Sequence, residues 1–124
     1  MVSIAGVGGR TPGAEFAIGG SVNAAILSLG KALAARGVAD GVQVKVVNPG
    51  AIRTDRLRAR IRSVAESEGV DEEEAGARLA AALGVARFGE PEEIASLVAY
   101  VVSLRGRFLH GALIDIDGGQ TRTI

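Results

Sequence analysis

Three short runs of β-branched and aliphatic residues, each stopped by glycine or proline and separated by long helical patterns, constrain this chain most. Val2-Ser3-Ile4-Ala5 stops at Gly6, the run from Val42 to Val47 stops at Asn48-Pro49-Gly50, and the run from Ala112 to Ile116 stops at Asp117-Gly118-Gly119. None of them leads through a two-residue turn into another such run. Antiparallel strands can be joined by a tight hairpin, whereas parallel strands need a long crossover, usually a helix. The pattern therefore predicts an α/β unit, a three-stranded parallel sheet with flanking helices in the order β-α-β-α-α-α-β.

The helical patterns have readable ends. The first runs from about Ser21 to Ala35, with Ala25, Leu29 and Leu33 at i, i+4, i+8 and Ile26 beside them as the expected buried stripe. Arg36-Gly37 suits its C-terminus, a basic residue followed by the residue that best tolerates left-handed backbone. The second opens at Thr54-Asp55, where a hydroxyl cap is expected, and breaks near Gly69. It restarts at Asp71, which has capping-box spacing to Glu74, and continues to about Leu83. The last opens at Glu90-Pro91-Glu92-Glu93, proline being at home in a first helical turn and acids at the positive end of the dipole. Ile94, Leu97, Val98, Val101 and Val102 mark its expected buried face, and Gly106 follows its end. No repeat, linker or low-complexity stretch interrupts the chain, so residues 1–124 are expected to form one domain.

Composition narrows the function classes. A chain with 48% hydrophobic and 23% charged residues can build a core. Cysteine is absent, which excludes disulfides, thiolate metal sites and thiol nucleophiles. The 14 basic and 14 acidic residues cancel, and aromatics make up 3%, which argues against a nucleic-acid partner or a membrane surface. No apolar run approaches the roughly 20 residues that span a bilayer, no charged-then-apolar signal peptide opens the chain, and a cytoplasmic protein is expected.

Few residues could carry chemistry. Gly6-Val7-Gly8-Gly9 could admit a pyrophosphate to backbone N–H groups, but no acid closes the next strand to hold a ribose, so a plain strand-to-helix loop is the expectation. Asn48 to Thr54 lies where open parallel sheets bind ligands, and is otherwise a loop into a capped helix. Arg53, Arg56 and Arg60 share one helical face and could grip a carboxylate, a phosphate or coenzyme A, while Arg58 and Arg62 lie elsewhere. The competing reading is a set of solvated arginines near Glu66, Glu68 and Glu72 to Glu74. His110 has no second histidine to form a metal cluster and is expected to be a loop residue. Asp115 and Asp117 flank Ile116 with no partner base, and one of them is expected to turn the chain.

Several of these pieces together resemble the short-chain dehydrogenase/reductase family. Pro49-Gly50-Ala51-Ile52-Arg53-Thr54 resembles its Pro-Gly-x-x-x-Thr segment, and Arg87-Phe88-Gly89-Glu90-Pro91-Glu92-Glu93-Ile94-Ala95 its Arg-x-Gly-x-Pro-Glu-Glu-Ile-Ala signature. Ser103, Arg107 to Gly111 and Asp115-Ile116-Asp117-Gly118-Gly119 continue the match in order and spacing. The resemblance implies a partial Rossmann-type fold, the C-terminal half of the family's domain from its fifth strand onward. It implies NAD or NADP as cofactor, with Pro49, Gly50, Ile52 and Thr54 against the nicotinamide end. It also implies mobile substrate-covering helices from about Arg56 to Leu83, and a homo-oligomer through residues 91–116.

The family's catalytic serine, tyrosine and lysine fall at Gly6 (or Ala5), Gly19 and Asn23, which matches a divergent branch reading Gly-x-x-x-Asn at the Tyr-Lys pair. Glycine, asparagine and alanine supply no acid, cation or hydroxyl, so no catalytic residue is assigned. Two readings follow from the resemblance. One is the nicotinamide- and substrate-side half of an NAD(P)-dependent oxidoreductase, inactive as an isolated chain. The other is a non-catalytic homologue serving as an oligomerisation module.

Overall fold

The computed structural model describes residues 1–123, and Ile124, the far end of the expected domain, lies outside them. The strands are β1 (Val2–Ile4), β2 (Lys45–Pro49) and β3 (Leu113–Ile116), and the helices are α1 (Ala17–Asp40), α2 (Asp55–Glu68), α3 (Glu72–Leu83) and α4 (Pro91–Val102). Short 3-10 turns occupy Val7–Gly9, Ala14–Phe16 and Leu104–Leu109. The sheet is parallel throughout, in the order β1-β2-β3, with Ile4 opposite Val47 and Asn48 opposite Asp115. The predicted architecture and element order are those observed.

β2 begins three residues later than its apolar run. Val42 lies just past the end of α1 and closes it, its N–H donating to the Gly37 carbonyl at 2.9 Å. Pairing starts at Lys45, whose N–H reaches Met1 O at 3.1 Å, and at Val46, whose N–H reaches Ala112 O at 2.9 Å. Val46, Val47 and Asn48 are almost wholly buried, as the middle strand of a covered parallel sheet requires.

α1 departs furthest from expectation. It runs from Ala17 to Asp40, not 21–35, and ends at Gly41 in left-handed backbone (φ 67°). Gly37 lies inside the helix for a different reason: a Cβ there would stand 2.2 Å from Val42 O, where the chain folds back. The buried residues are Gly20, Leu27, Gly30, Ala34 and Gly37, whereas Ala25, Leu29 and Leu33, the expected stripe, are exposed. A Cβ on Gly30 would stand 2.2 Å from Val46 Cγ2, so the helix lies on the sheet through its smallest residues. Apolar residues surround this helix, so spacing alone did not select its inner face. For the same reason the segment Ala14–Asp40, in which an 18-residue window has a mean hydropathy of 1.4, is by length and composition apolar enough to cross a membrane, contrary to expectation. In this fold its small-residue face packs on the sheet.

α2 and α3 meet across Gly69 (φ 67°) and enclose a second core of Ile61, Ala65, Ala75, Ala80, Val85 and Phe88. Asp71 caps α3 as predicted, its Oδ1 accepting from Glu74 N at 2.7 Å. In α4, Val101 is fully buried and Ile94, Leu97 and Val98 are half-buried. Val102, expected on the same face, points outward with 64% of its surface exposed.

Candidate functional site

Parallel strands deliver the segments that follow them to one edge of the sheet. Residues after β1 and β2 meet there in a cleft of about 480 Å³. Ala5, Gly6 and Asn23 line one wall, and Pro49, Gly50, Ile52 and Thr54 line the other. The structure thus brings together the four residues matched to the nicotinamide side and two of the three matched catalytic positions. Gly50 is required by closeness: a Cβ there would stand 2.7 Å from the Cβ of Asp117. Asp117 itself turns the chain after β3, accepting from Gly119 N at 2.9 Å and Thr121 N at 2.7 Å. Burial pushes its carboxyl up, but the hydrogen bonds from Thr121 and Gly119 outweigh that and hold it below the usual aspartate range.

Thr54 stands at the N-cap of α2 but its side chain makes no capping hydrogen bond, contrary to expectation. Only its carbonyl serves the helix, accepting from Arg58 N at 3.0 Å. The hydroxyl on the cleft wall is therefore not committed to the cap.

Two of the three positions matched to the family's serine, tyrosine and lysine leave no room for a side chain. A Cβ on Gly6 would stand 2.9 Å from Asn23 Nδ2, and a Cβ on Gly19 would stand 2.2 Å from Phe16 Cζ. Any side chain at position 19 must displace the Phe16 ring, which itself lines the cleft. Sequence reasoning missed Phe16. The only available signal was an aromatic residue three positions before a glycine inside a helix.

The second motif locks onto the first. Ile52 and Gly89 form a parallel bridge, with Arg53 N donating to Gly89 O at 2.8 Å and Gly89 N to Ala51 O at 3.0 Å. Behind it Arg87 grips Glu93 with both Nη atoms, at 2.8 and 2.7 Å, and Glu93 also accepts from Glu90 N at 2.8 Å. That arrangement holds the Glu93 carboxyl down at about 2.

Comparison with known proteins gives this cleft its context. A family model described as enoyl-(acyl carrier protein) reductase matches residues 1–121. The chain is 32% identical over 120 residues to acetoacetyl-CoA reductase of Shinella zoogloeoides, covering 97% of this chain and 46% of that protein. It is 27% identical over 124 residues to NADPH-dependent reductase BacG of Bacillus subtilis (strain 168), covering 100% of this chain and 48% of that one. Among solved structures, L-sorbose reductase of Gluconobacter frateurii, complexed with NADPH and L-sorbose, superposes with a TM-score of 0.92 at 25% identity, over 99% of this chain and 47% of that one. The chain belongs to the short-chain dehydrogenase/reductase family. It spans about half the length of the curated relatives it matches.

In this short-chain dehydrogenase/reductase chain the arginine series divides in two. Arg53 turns away from the cleft, 2.9 Å from Glu90 and with its guanidinium 5.9 Å from the Phe88 ring centre. Arg58 pairs with Asp55 and Arg62 with Glu72, both at 3.4 Å. Arg56 and Arg60 line the cleft, and the Arg56 guanidinium lies 5.7 Å from the centre of the Phe16 ring. The face expected to hold Arg53, Arg56 and Arg60 together therefore loses Arg53 to Glu90.

The remaining candidates are structural. His110 joins three elements, Nδ1 accepting from Val44 N at 3.2 Å and Nε2 donating to Ala34 O at 2.8 Å. Asp115 accepts from the buried Asn48 Nδ2 at 2.8 Å, and Arg10 Nε lies 3.1 Å from the same oxygen without hydrogen-bond alignment. That trio ties β2, β3 and the β1–α1 connection together beneath the cleft floor. Gly6 to Gly9, expected as a plain loop, forms a 3-10 turn with Val7 buried.

Proposed function

We propose that this chain is the nicotinamide- and substrate-side half of an NAD(P)-dependent carbonyl oxidoreductase, working in the cytoplasm. The observation that carries it is the gathering of Pro49, Gly50, Ile52 and Thr54 opposite Gly6 and Asn23 in one cleft. These residues suit a nicotinamide: Pro49 and Ile52 offer apolar surface to a flat ring, and the uncommitted Thr54 hydroxyl can meet its carboxamide. When bound, a reduced nicotinamide supplies a hydride to a carbonyl carbon. The carbonyl oxygen must also gain a proton, and no cleft-lining residue is an acid of suitable strength. Asn23 can donate a hydrogen bond to a carbonyl oxygen but cannot transfer a proton to it.

This chain alone is accordingly expected to oxidise no NADPH or NADH above background with any carbonyl substrate. Turnover that survives repurification and is lost in Thr54→Ala would overturn that expectation. Titration with dihydronicotinamide riboside, followed by amide chemical shifts, tests the wall assignment directly. Shifts at Gly50, Ile52 and Thr54 are expected, and their absence would remove the assignment.

We also propose a homo-oligomer through residues 91–116. Tyr100, Val102, Leu104 and Phe108 expose large apolar surfaces along α4 and the turn that leads towards the edge strand β3. Such a patch favours association over solvation.

A further inference from the structure

We propose that the cleft takes a carbonyl substrate bearing an anionic group, a carboxylate or phosphate, gripped by Arg56 and Arg60. The inference rests on the reading of Pro49 to Thr54 as the nicotinamide wall, since that wall places the reacting carbonyl in the same cleft.

Charge arrangement carries it. The whole chain is neutral, with 14 basic and 14 acidic residues. The cleft lining nevertheless contains Arg56 and Arg60 and no aspartate or glutamate. This is an arrangement and not a bulk excess, because the same helix disposes of its other charges differently. Arg58 and Arg62 on α2, and Arg53 just before it, each face an acid at 2.9 to 3.4 Å. Among the described residues neither Arg56 nor Arg60 forms an ion pair. They are four apart on a helix, so their side chains stand one above the other along one wall.

The Phe16 ring adds a device for holding the first of them in place. Its centre lies 5.7 Å from the Arg56 guanidinium, within the range of a cation–π contact, and the ring itself lines the cleft. A planar guanidinium kept over a ring still has its edge N–H donors free to make paired bonds to a carboxylate or phosphate. A concave surface with one sign of charge raises the local concentration of the opposite sign. An uncharged substrate would leave both exposed guanidinium groups to water.

An anion could also come from the cofactor's own diphosphate, so the experiment separates the two sources. The intact chain is titrated at fixed ionic strength with acetoacetate and, separately, with methyl acetoacetate, which has the same ketone but no charge. Binding is read from amide shifts of the cleft residues. Acetoacetate is expected to bind about fivefold more tightly than the ester, the scale of two partly exposed ion pairs. Arg56→Gln/Arg60→Gln is expected to erase that ratio, and Arg58→Gln/Arg62→Gln to keep it. Arg56→Lys/Arg60→Lys, which keeps the charge, is expected to retain most of it.

Equal affinities in the parent chain, or a ratio that survives Arg56→Gln/Arg60→Gln, would overturn the proposal. So would a weakening of NADH binding in that double variant with acetoacetate binding unchanged, which would assign the arginines to the cofactor. The dihydronicotinamide riboside titration reports on the wall alone, because that probe is uncharged. Its failure with the acetoacetate ratio intact would remove the wall and leave the anion grip standing.

Discussion

Ala75 and Phe88, in the cluster shared by α2 and α3, expose 0% and 3% of their surface, whereas Ile18 and Leu29 on α1 expose 84% and 56%. Both regions are rich in apolar residues, so hydrophobicity does not distinguish them. The difference lies in what the chain provides as cover. α2 and α3 fold back across Gly69 and bury one another's faces, and the loop carrying Val85 and Phe88 closes the gap. α1 packs on the sheet and on the turn Val7–Gly9 and leaves its other faces open, and β1 pairs with β2 on one side only. The L-sorbose reductase structure matches over 47% of its own length, so its fold extends beyond the part that these residues match. One region buries its apolar residues within itself, and the other leaves large apolar side chains exposed.

The largest effect should appear where the closed region is opened. Phe88→Ala is expected to cost about 3–5 kcal/mol, the transfer and cavity terms of a buried aromatic. Leu29→Ser on the open flank is expected to stay within about 1 kcal/mol. Urea denaturation of both variants reads the contrast, and equal losses would break it.

Two glycine substitutions should differ in sign. At Gly30 an added Cβ would overlap Val46 Cγ2 at 2.2 Å, whereas at Gly76 it would rest in ordinary contact, 3.8 Å from Ile61 Cδ1. Gly30→Ala sets an overpacking cost of about 1–3 kcal/mol against a helix-propensity gain of about 1 kcal/mol, a net loss. Gly76→Ala should keep most of that gain, about 0.5–1 kcal/mol. Denaturation midpoints moving in the same direction for both would show that the contact of α1 with the sheet is looser than these distances imply.

This pair also marks what was legible in the sequence. The order and type of every strand and major helix could be read from stop residues and crossover lengths. The cap at Asp71, the break near Gly69 and the loop 48–54 were legible too, because each follows from local chemistry. The inner face of α1 was not. Leu29 and Leu33 carry the larger apolar side chains, but the sheet accepts Gly30 and Ala34, whose small size lets the backbones approach. That residues 49–54 stand at the carboxyl end of the middle strand was legible, but what fills the cleft beside them was not. That Phe16 fills the space beside Gly19, and that Glu90 draws Arg53 away from Arg56 and Arg60, are contacts between elements that spacing along the chain does not encode.

Association should cover the open flank of α1 as well as the proposed surface on residues 91–116. The intact chain is expected to sediment at micromolar concentration as an oligomer, heavier than its 12.6 kDa. Val102→Glu on the proposed α4–β3 interface and Leu29→Glu on α1 should each weaken the association constant about tenfold, near 1.4 kcal/mol. Glu73→Lys, on the outer surface of the closed region, should leave it unchanged. A clean monomer would overturn the oligomer, and an equal effect of all three substitutions would remove the distinction between the regions.

The smallest effect concerns the clamp that fastens α4 to the closed region. Glu93 receives two hydrogen bonds from Arg87 and one from Glu90 N, which lower its carboxyl from the ordinary value of 4.5 to about 2. The unfolded chain therefore takes up this proton near pH 4.5, while the folded chain resists until about pH 2. The stabilisation is complete above the higher value, declines as pH falls between the two, and is gone below the lower. Glu93→Gln keeps a side chain able to cap α4 but loses the charged pair with Arg87. The urea midpoint of the variant should lie below that of the parent chain at pH 7, and the gap should narrow as pH falls from 4.5 towards 2. Because both partners are well exposed, the gap should be modest and should shrink with added salt. A gap that stays constant down to pH 2.5 would mean that the carboxylate's charge contributes nothing, leaving α4 held to the closed region by the Ile52–Gly89 bridge and packing alone.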